Sequence, residues 1–187
     1  MAAHLTNRLT LVWSARVLAG PLSAVQPNPL SKDSRNGKLT GSTTSVGTGV
    51  ISVASNVAPR ATTEMVALLL AGRAAEARAL AAKLEPLFNL VTVKTTEKTP
   101  YGEVVCRARN PLAYKTLMAI LGMPSGPCKP PLGKMSRNGL AKVLEAARTM
   151  QRTAPEILKP VADFFGVRIE ERLENPKCRE GLSYPEY

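Results

Sequence analysis

The stretch Gly47-Thr48-Gly49-Val50-Ile51-Ser52-Val53-Ala54-Ser55-Asn56-Val57-Ala58-Pro59 limits what this chain can fold into more than any other part of it. Val50, Ile51 and Val53 form a short β-branched run, with glycines before it and Asn56 and Pro59 after it. Such a run suits a strand covered on both faces. A buried parallel strand hands over to a helix, and α/β folds gather their chemistry at the carboxyl ends of their strands. The expectation is one core strand, a helix after Pro59, and a site-like edge between them.

Downstream the pattern is helical. Thr62 or Thr63 can supply an N-cap oxygen, Met65, Val66, Leu69 and Leu70 form an apolar face, and Gly72 suits a left-handed C-terminal turn. A second helix is predicted from Ala74 to Phe88, with Ala77, Leu80, Ala81, Leu84 and Leu87 on one stripe. From Val91 to Arg109 an alternating Val91-Thr92-Val93-Lys94 and the turn residues Thr99-Pro100-Tyr101-Gly102 predict an inserted loop or hairpin. Asn110 should cap a helix with Pro111 at its first position and Gly122 at its end. Prolines and glycines between Met123 and Gly133 require a loop. Ser136 should then cap a helix running to about Gln151, and Thr153 with Glu156 stands at capping-box spacing before another that ends at Gly166. From Val167 onward an extended surface arm is expected.

The first 46 residues hold one acidic residue, Asp33, against Arg8, Arg16, Lys32, Arg35 and Lys38. This composition fits a poorly ordered basic arm, either an organelle transit peptide or a segment outside the fold of the rest. Lysine and arginine total 25 against 14 acidic residues. That excess is spread along the chain without a basic run, and aromatic residues make up only 4%, so nucleic-acid binding is not expected. The sequence contains no apolar run of membrane-spanning length. Cys106, Cys128 and Cys178 are odd in number and far apart, and His4 is the sole histidine. Neither a disulfide framework nor a metal site is expected.

The separated blocks Gly49-Val50-Ile51-Ser52-Val53, Glu64-Met65, Gly72-Arg73, Glu76-Ala77-Arg78, Asn110-Pro111-Leu112-Ala113-Tyr114-Lys115, Gly122-Met123-Pro124-Ser125-Gly126-Pro127-Cys128 and Glu180-Gly181-Leu182-Ser183-Tyr184 together resemble the last βα unit and C-terminal helices of the dihydrodipicolinate synthase family of pyruvate aldolases. The resemblance covers about residues 47–187. It implies a mostly α chain that is the C-terminal fragment of a (β/α)8 barrel: a last βα unit and helix over 47–90, and a helical region with loop and extended tail over 91–187. A whole barrel takes about 250 residues, and this chain has 187. The implied chemistry is condensation of pyruvate with aspartate semialdehyde through a lysine Schiff base, in lysine biosynthesis by the diaminopimelate route, with no cofactor, in the cytoplasm or, if residues 1–46 are a transit peptide, in an organelle.

By the same resemblance Ile51 lines the pyruvate pocket through its backbone carbonyl. The family's lysine block (Ile-Lys-Glu/Asp), tyrosine block (Tyr-Asn-x-Pro) and threonine block (Gly-Thr-Thr-Gly-Glu) do not occur in these 187 residues. No catalytic residue is therefore assigned, and the chain alone is expected to be inactive. Its implied partners are pyruvate and other family members in a homo- or hetero-oligomer, and the alternative role is a non-catalytic module packing on a full-length paralogue. Gly41-Ser42-Thr43-Thr44-Ser45 and Lys94 imitate the threonine and lysine elements but stand in the wrong order for them, and Leu30-Ser31-Lys32-Asp33-Ser34 only loosely follows the family's Leu-Ser-Gly-Asp-Asp.

Overall fold

The computed structural model describes residues 49–185. The expectations for the arm, Gly41–Ser45, Leu30–Ser34 and His4 lie outside the described residues. The chain divides between Phe88 and Asn89 into two compact units. Across the described residues it is mostly helical, with one two-stranded antiparallel sheet.

The first unit corrects the leading expectation. Residues 49–52 form no strand, and Val53–Asn56 is a 3-10 turn. A strand exists only where a neighbour completes its ladder, and none of the described residues pairs with this segment. Ser52 keeps an extended backbone (φ −121°, ψ 137°) and its hydroxyl oxygen accepts from the Ala54 N–H at 3.2 Å, which turns the chain into the 3-10 turn. Helix α1 (Pro59–Leu70) follows, with Pro59 at its first position and Ala58 as a cap without a side-chain hydrogen bond. Proline has no N–H to leave unsatisfied there. Thr62 is not the N-cap. It lies inside α1, buried, with its hydroxyl donating to the Ala58 carbonyl at 2.8 Å.

The end of α1 follows expectation. Gly72 takes φ +75°, its N–H reaches the Leu69 carbonyl, and the Arg73 N–H reaches that of Leu68. This is a Schellman closure, which glycine makes without strain. Helix α2 (Ala74–Phe88) has the predicted bounds and packs along α1. Ala77, Leu84 and Leu87 of its stripe are buried.

In the second unit, β1 (Thr92–Thr99) and β2 (Gly102–Arg109) form a hairpin in register Thr99↔Gly102, with Pro100 and Tyr101 at the tip. A region expected to be helical with a loop thus also carries a sheet, at the place where the alternating residues allowed a hairpin. Val93, Thr95 and Glu97 of β1 are buried, while Thr92, Lys94, Thr96 and Lys98 are exposed. Helix α3 is Leu112–Ile120. Asn110 does not cap it: Pro111 holds the cap position, and the Asn110 N–H extends the ladder by donating to the Val91 carbonyl at 3.1 Å. Gly122 (φ +84°) ends α3 as expected. The irregular segment after it leads to Ser136, whose hydroxyl accepts from the Gly139 N–H at 3.1 Å and caps α4 (Arg137–Thr153).

Helix α4 is the spine of this unit, in contact with β1, α3 and α6 (Ile169–Glu174). Its stripe Leu140, Val143, Leu144, Ala147 and Met150 is buried. The expected capping box does not form, because the Thr153 hydroxyl bonds back to the Thr149 carbonyl. A 3-10 turn over Pro155–Ile157 leads instead into α5 (Lys159–Phe165), closed by Gly166 at φ +62°. The expected extended arm is mostly helical too: α6 is followed by a 3-10 turn over Pro176–Arg179, and Ser183 bridges to Met135. The reason is apolar anchoring, since Ile169 and Leu173 are buried. Arg172 adds a polar tie, its Nε donating to the Ile120 carbonyl at 2.6 Å and its Nη2 to that of Ala119 at 3.1 Å, where α3 ends.

Candidate functional site

Ile51 stands immediately before the hydrogen-bonded corner that joins the extended segment to α1. The Ser55 hydroxyl donates to the Ser52 carbonyl at 2.5 Å, and Asn56 Nδ2 donates to the Val53 carbonyl at 3.1 Å. Ala54, Val57 and Ala58 are buried, which fixes the corner, whereas the Ile51 side chain is 42% exposed. The corner is rigid by its own hydrogen bonds. The extended residues before it are supported by no neighbouring strand among those described.

The two lysines nearest motif-like segments are both in the second unit. Lys94 lies on the exposed face of β1, and its backbone carbonyl accepts from Lys142 Nζ at 2.6 Å. Lys115 Nζ donates to the Pro127 carbonyl at 3.1 Å, while the Ser125 hydroxyl donates to the Lys115 carbonyl at 2.7 Å. Lys115 thus ties the proline-rich loop to α3. A Schiff-base amine needs a desolvated or positively charged pocket that lowers its pKa. Lys94 is exposed, and the Lys115 amine is spent on a loop carbonyl. Tyr114, beside Lys115, is buried, and burial pushes its phenol well above the ordinary tyrosine range.

A cavity of about 410 Å³ lies between the hairpin, the start of α4 and the tail, lined by Thr96, Glu97, Lys98, Glu103, Arg137, Asn138, Tyr184 and Pro185. Glu97 is only 6% exposed. One of its carboxylate oxygens accepts a long bond, 3.5 Å, from the Asn138 N–H in the first turn of α4. The other has no partner among the described residues. The position of Glu97 at the buried parity of β1, two residues after Thr95, was the one available signal. Chemically the pocket offers acceptors and mixed charge, with no buried amine. Among the described residues no group of three or more His, Cys, Asp or Glu could hold a metal, and Cys106, Cys128 and Cys178 are free thiols.

Residues 36–150 match the dihydrodipicolinate synthetase family. The chain belongs to this family. The match includes the Ser52 corner, α1, α2, the hairpin, α3 and nearly all of α4, and stops before α5 and α6. Among individual relatives, the chain is 38% identical over 103 residues to the 4-hydroxy-tetrahydrodipicolinate synthase of Methanothrix thermoacetophila, covering 55% of this chain and 30% of that one. It is 35% identical over 104 residues to the protein of the same name from Methanococcus vannielii, covering 56% and 31%. It is 31% identical over 117 residues to that of Thermomicrobium roseum, covering 63% and 34%. The chain therefore spans about a third of the length of these relatives. No solved structure matches it.

Proposed function

We propose that this chain is the C-terminal part of a dihydrodipicolinate synthase-type lyase, whose catalytic amine lies outside these 187 residues. In this reading residues 49–52 become the last strand of a (β/α)8 barrel only when flanked by neighbouring strands. Ile51 then turns its backbone carbonyl toward pyruvate, and α1 packs outside as the following helix. The observation that carries the reading is the Ser52 corner: a residue with strand backbone angles passes by side-chain hydrogen bonds straight into a proline-initiated helix, inside the segment matched to the family.

The chemistry joins pyruvate to aspartate semialdehyde. A deprotonated amine attacks the pyruvate ketone, water leaves, and the resulting iminium withdraws electrons so that the methyl carbon can lose a proton and attack the aldehyde. The chain's own contribution is a backbone acceptor beside the nitrogen and the packing that holds it. Such a chain alone forms no covalent adduct. Incubation of the purified chain with pyruvate and borohydride, read by intact mass, is expected to give no more adduct than an unrelated lysine-rich protein. A stoichiometric adduct mapped to a single lysine would reject the reading, and one at Lys94 would identify the amine. The second reading, a non-catalytic module docking on a full-length family member, is supported by the one-third span.

A further inference from the structure

The hairpin has two edges, and among the described residues only one is covered. In an antiparallel ladder, alternate residues turn their N–H and C=O toward the partner strand and those between turn theirs outward. The Asn110 N–H donates to the Val91 carbonyl, one step beyond the pair Thr92–Arg109. By that parity Val104, Cys106 and Ala108 face β1, while Glu103, Val105, Arg107 and Arg109 face outward. On β1 the outward residues include Lys94 and Thr96, and side chains from α4 take both of their carbonyls: Lys142 Nζ that of Lys94 at 2.6 Å, and Asn138 Nδ2 that of Thr96 at 2.9 Å. On β2, no described residue outside the ladder bonds to the backbone of Glu103, Val105 or Arg107. Val105 is 73% exposed and Tyr101 is wholly exposed. An open edge of this kind is a template for another strand.

We infer that β2 pairs antiparallel with β2 of a second copy of this chain, about a two-fold axis through Val105. Outward-facing residues must meet outward-facing residues, so the axis falls on a residue rather than between two. Centred on Val105, Glu103 stands opposite the second copy's Arg107, and Arg107 opposite its Glu103. Val105 then meets Val105. Centred on Val104, Glu103 would face a valine. Centred on Cys106, Glu103 would face Arg109, but each Val105 would face the guanidinium of Arg107. Only the Val105 axis combines the Glu–Arg pairs with an apolar contact between the two valines. Within its own sheet Arg107 lies opposite Lys94, a repulsive cross-strand pair, and it makes no ion pair among the described residues. The second copy's Glu103 supplies the missing counter-charge twice over, and the isologous contact closes at two chains.

The test is sedimentation velocity on the full chain across a concentration series, with hydrogen exchange at each concentration. A dimer is expected, with amides of Val105 and Arg107 gaining protection as it forms. Glu103→Arg and Arg107→Glu should each weaken the dimer by at least about tenfold, and the double reversal should restore it. Val105→Cys in a Cys106→Ser background should cross-link to itself through position 105 on mild oxidation. A chain that stays monomeric at every concentration overturns the proposal, as does a dimer indifferent to both reversals. Failure of the double reversal to restore association, with native circular dichroism retained, overturns the pairing. Absence of the cross-link in a dimer overturns the register.

Discussion

Ser136 is asked to do two things at once, and removing its hydroxyl should reveal both. Its oxygen accepts the Gly139 N–H at 3.1 Å at the start of α4, and it lies 3.0 Å from the hydroxyl of Thr95, which is buried on β1. Losing a serine N-cap costs about 1 kcal/mol. Leaving the Thr95 hydroxyl buried without its partner costs about another 1 kcal/mol. Ser136→Ala should therefore destabilise by about 2 kcal/mol, which for a urea slope of about 2 kcal/mol per molar lowers the midpoint by about 1 M. Thr95→Val removes the hydroxyl while leaving the cap in place, and should cost about 1 kcal/mol or less. The double variant should lose less than the sum, because the orphaned hydroxyl is gone, with a coupling of about 1 kcal/mol. Urea denaturation followed by far-ultraviolet circular dichroism measures all four corners of the cycle. A Ser136→Ala loss below about 0.5 kcal/mol, or strict additivity in the cycle, would refute the claim that this one oxygen joins sheet to helix.

Gly133 sits at φ +58°, and a Cβ there would collide with the Tyr184 hydroxyl. Gly133→Ala should cost about 1–3 kcal/mol and loosen the tail around the Met135–Ser183 bridge; unchanged exchange of the Tyr184 N–H, which bonds to the Met135 carbonyl, would count against it. The raised pKa of Tyr114 means the folded state keeps a proton that the unfolded chain gives up. Stability is thus intact below the ordinary tyrosine pKa of about 10 and declines as pH rises past it. An alkaline titration followed by phenolate absorbance should leave one of the four tyrosines un-ionised until the chain unfolds, and reversible ionisation of all four in the native state would contradict the burial argument.

Where local chemistry decides an element, the sequence was sufficient. Gly72, Gly122 and Gly166 end their helices because each adopts a positive φ, and Ser136 caps because its hydroxyl accepts a first-turn amide. Expectation failed where the deciding partner was distant in the chain. A β-branched run is a strand only beside another strand, so Val50–Val53 could not be settled from its own residues. The segment after Val167 looked like an arm because its charges are local, whereas what folds it is the burial of Ile169 and Leu173. Asn110 was a plausible cap by type, yet its backbone belongs to the ladder of the preceding hairpin. Beyond the parity of Glu97 the cavity left no local trace, because residues 96–98, 137–138 and 184–185 meet through tertiary packing, that of β1 on α4 included. The open edge of β2 follows from hydrogen-bond parity, which composition cannot report.

The guanidinium of Arg172 reaches across to the last carbonyls of α3 from beyond residue 150, where the segment matched to the family ends. The matched segment and the mechanically intact unit therefore have different borders in this molecule. A gene fragment cut at residue 150 would leave the Ile120 carbonyl without its Arg172 donor and would remove the buried Ile169 and Leu173. Whoever expresses, grafts or recombines this segment should cut after the last tether, because the matched part is held in place by residues that lie beyond it.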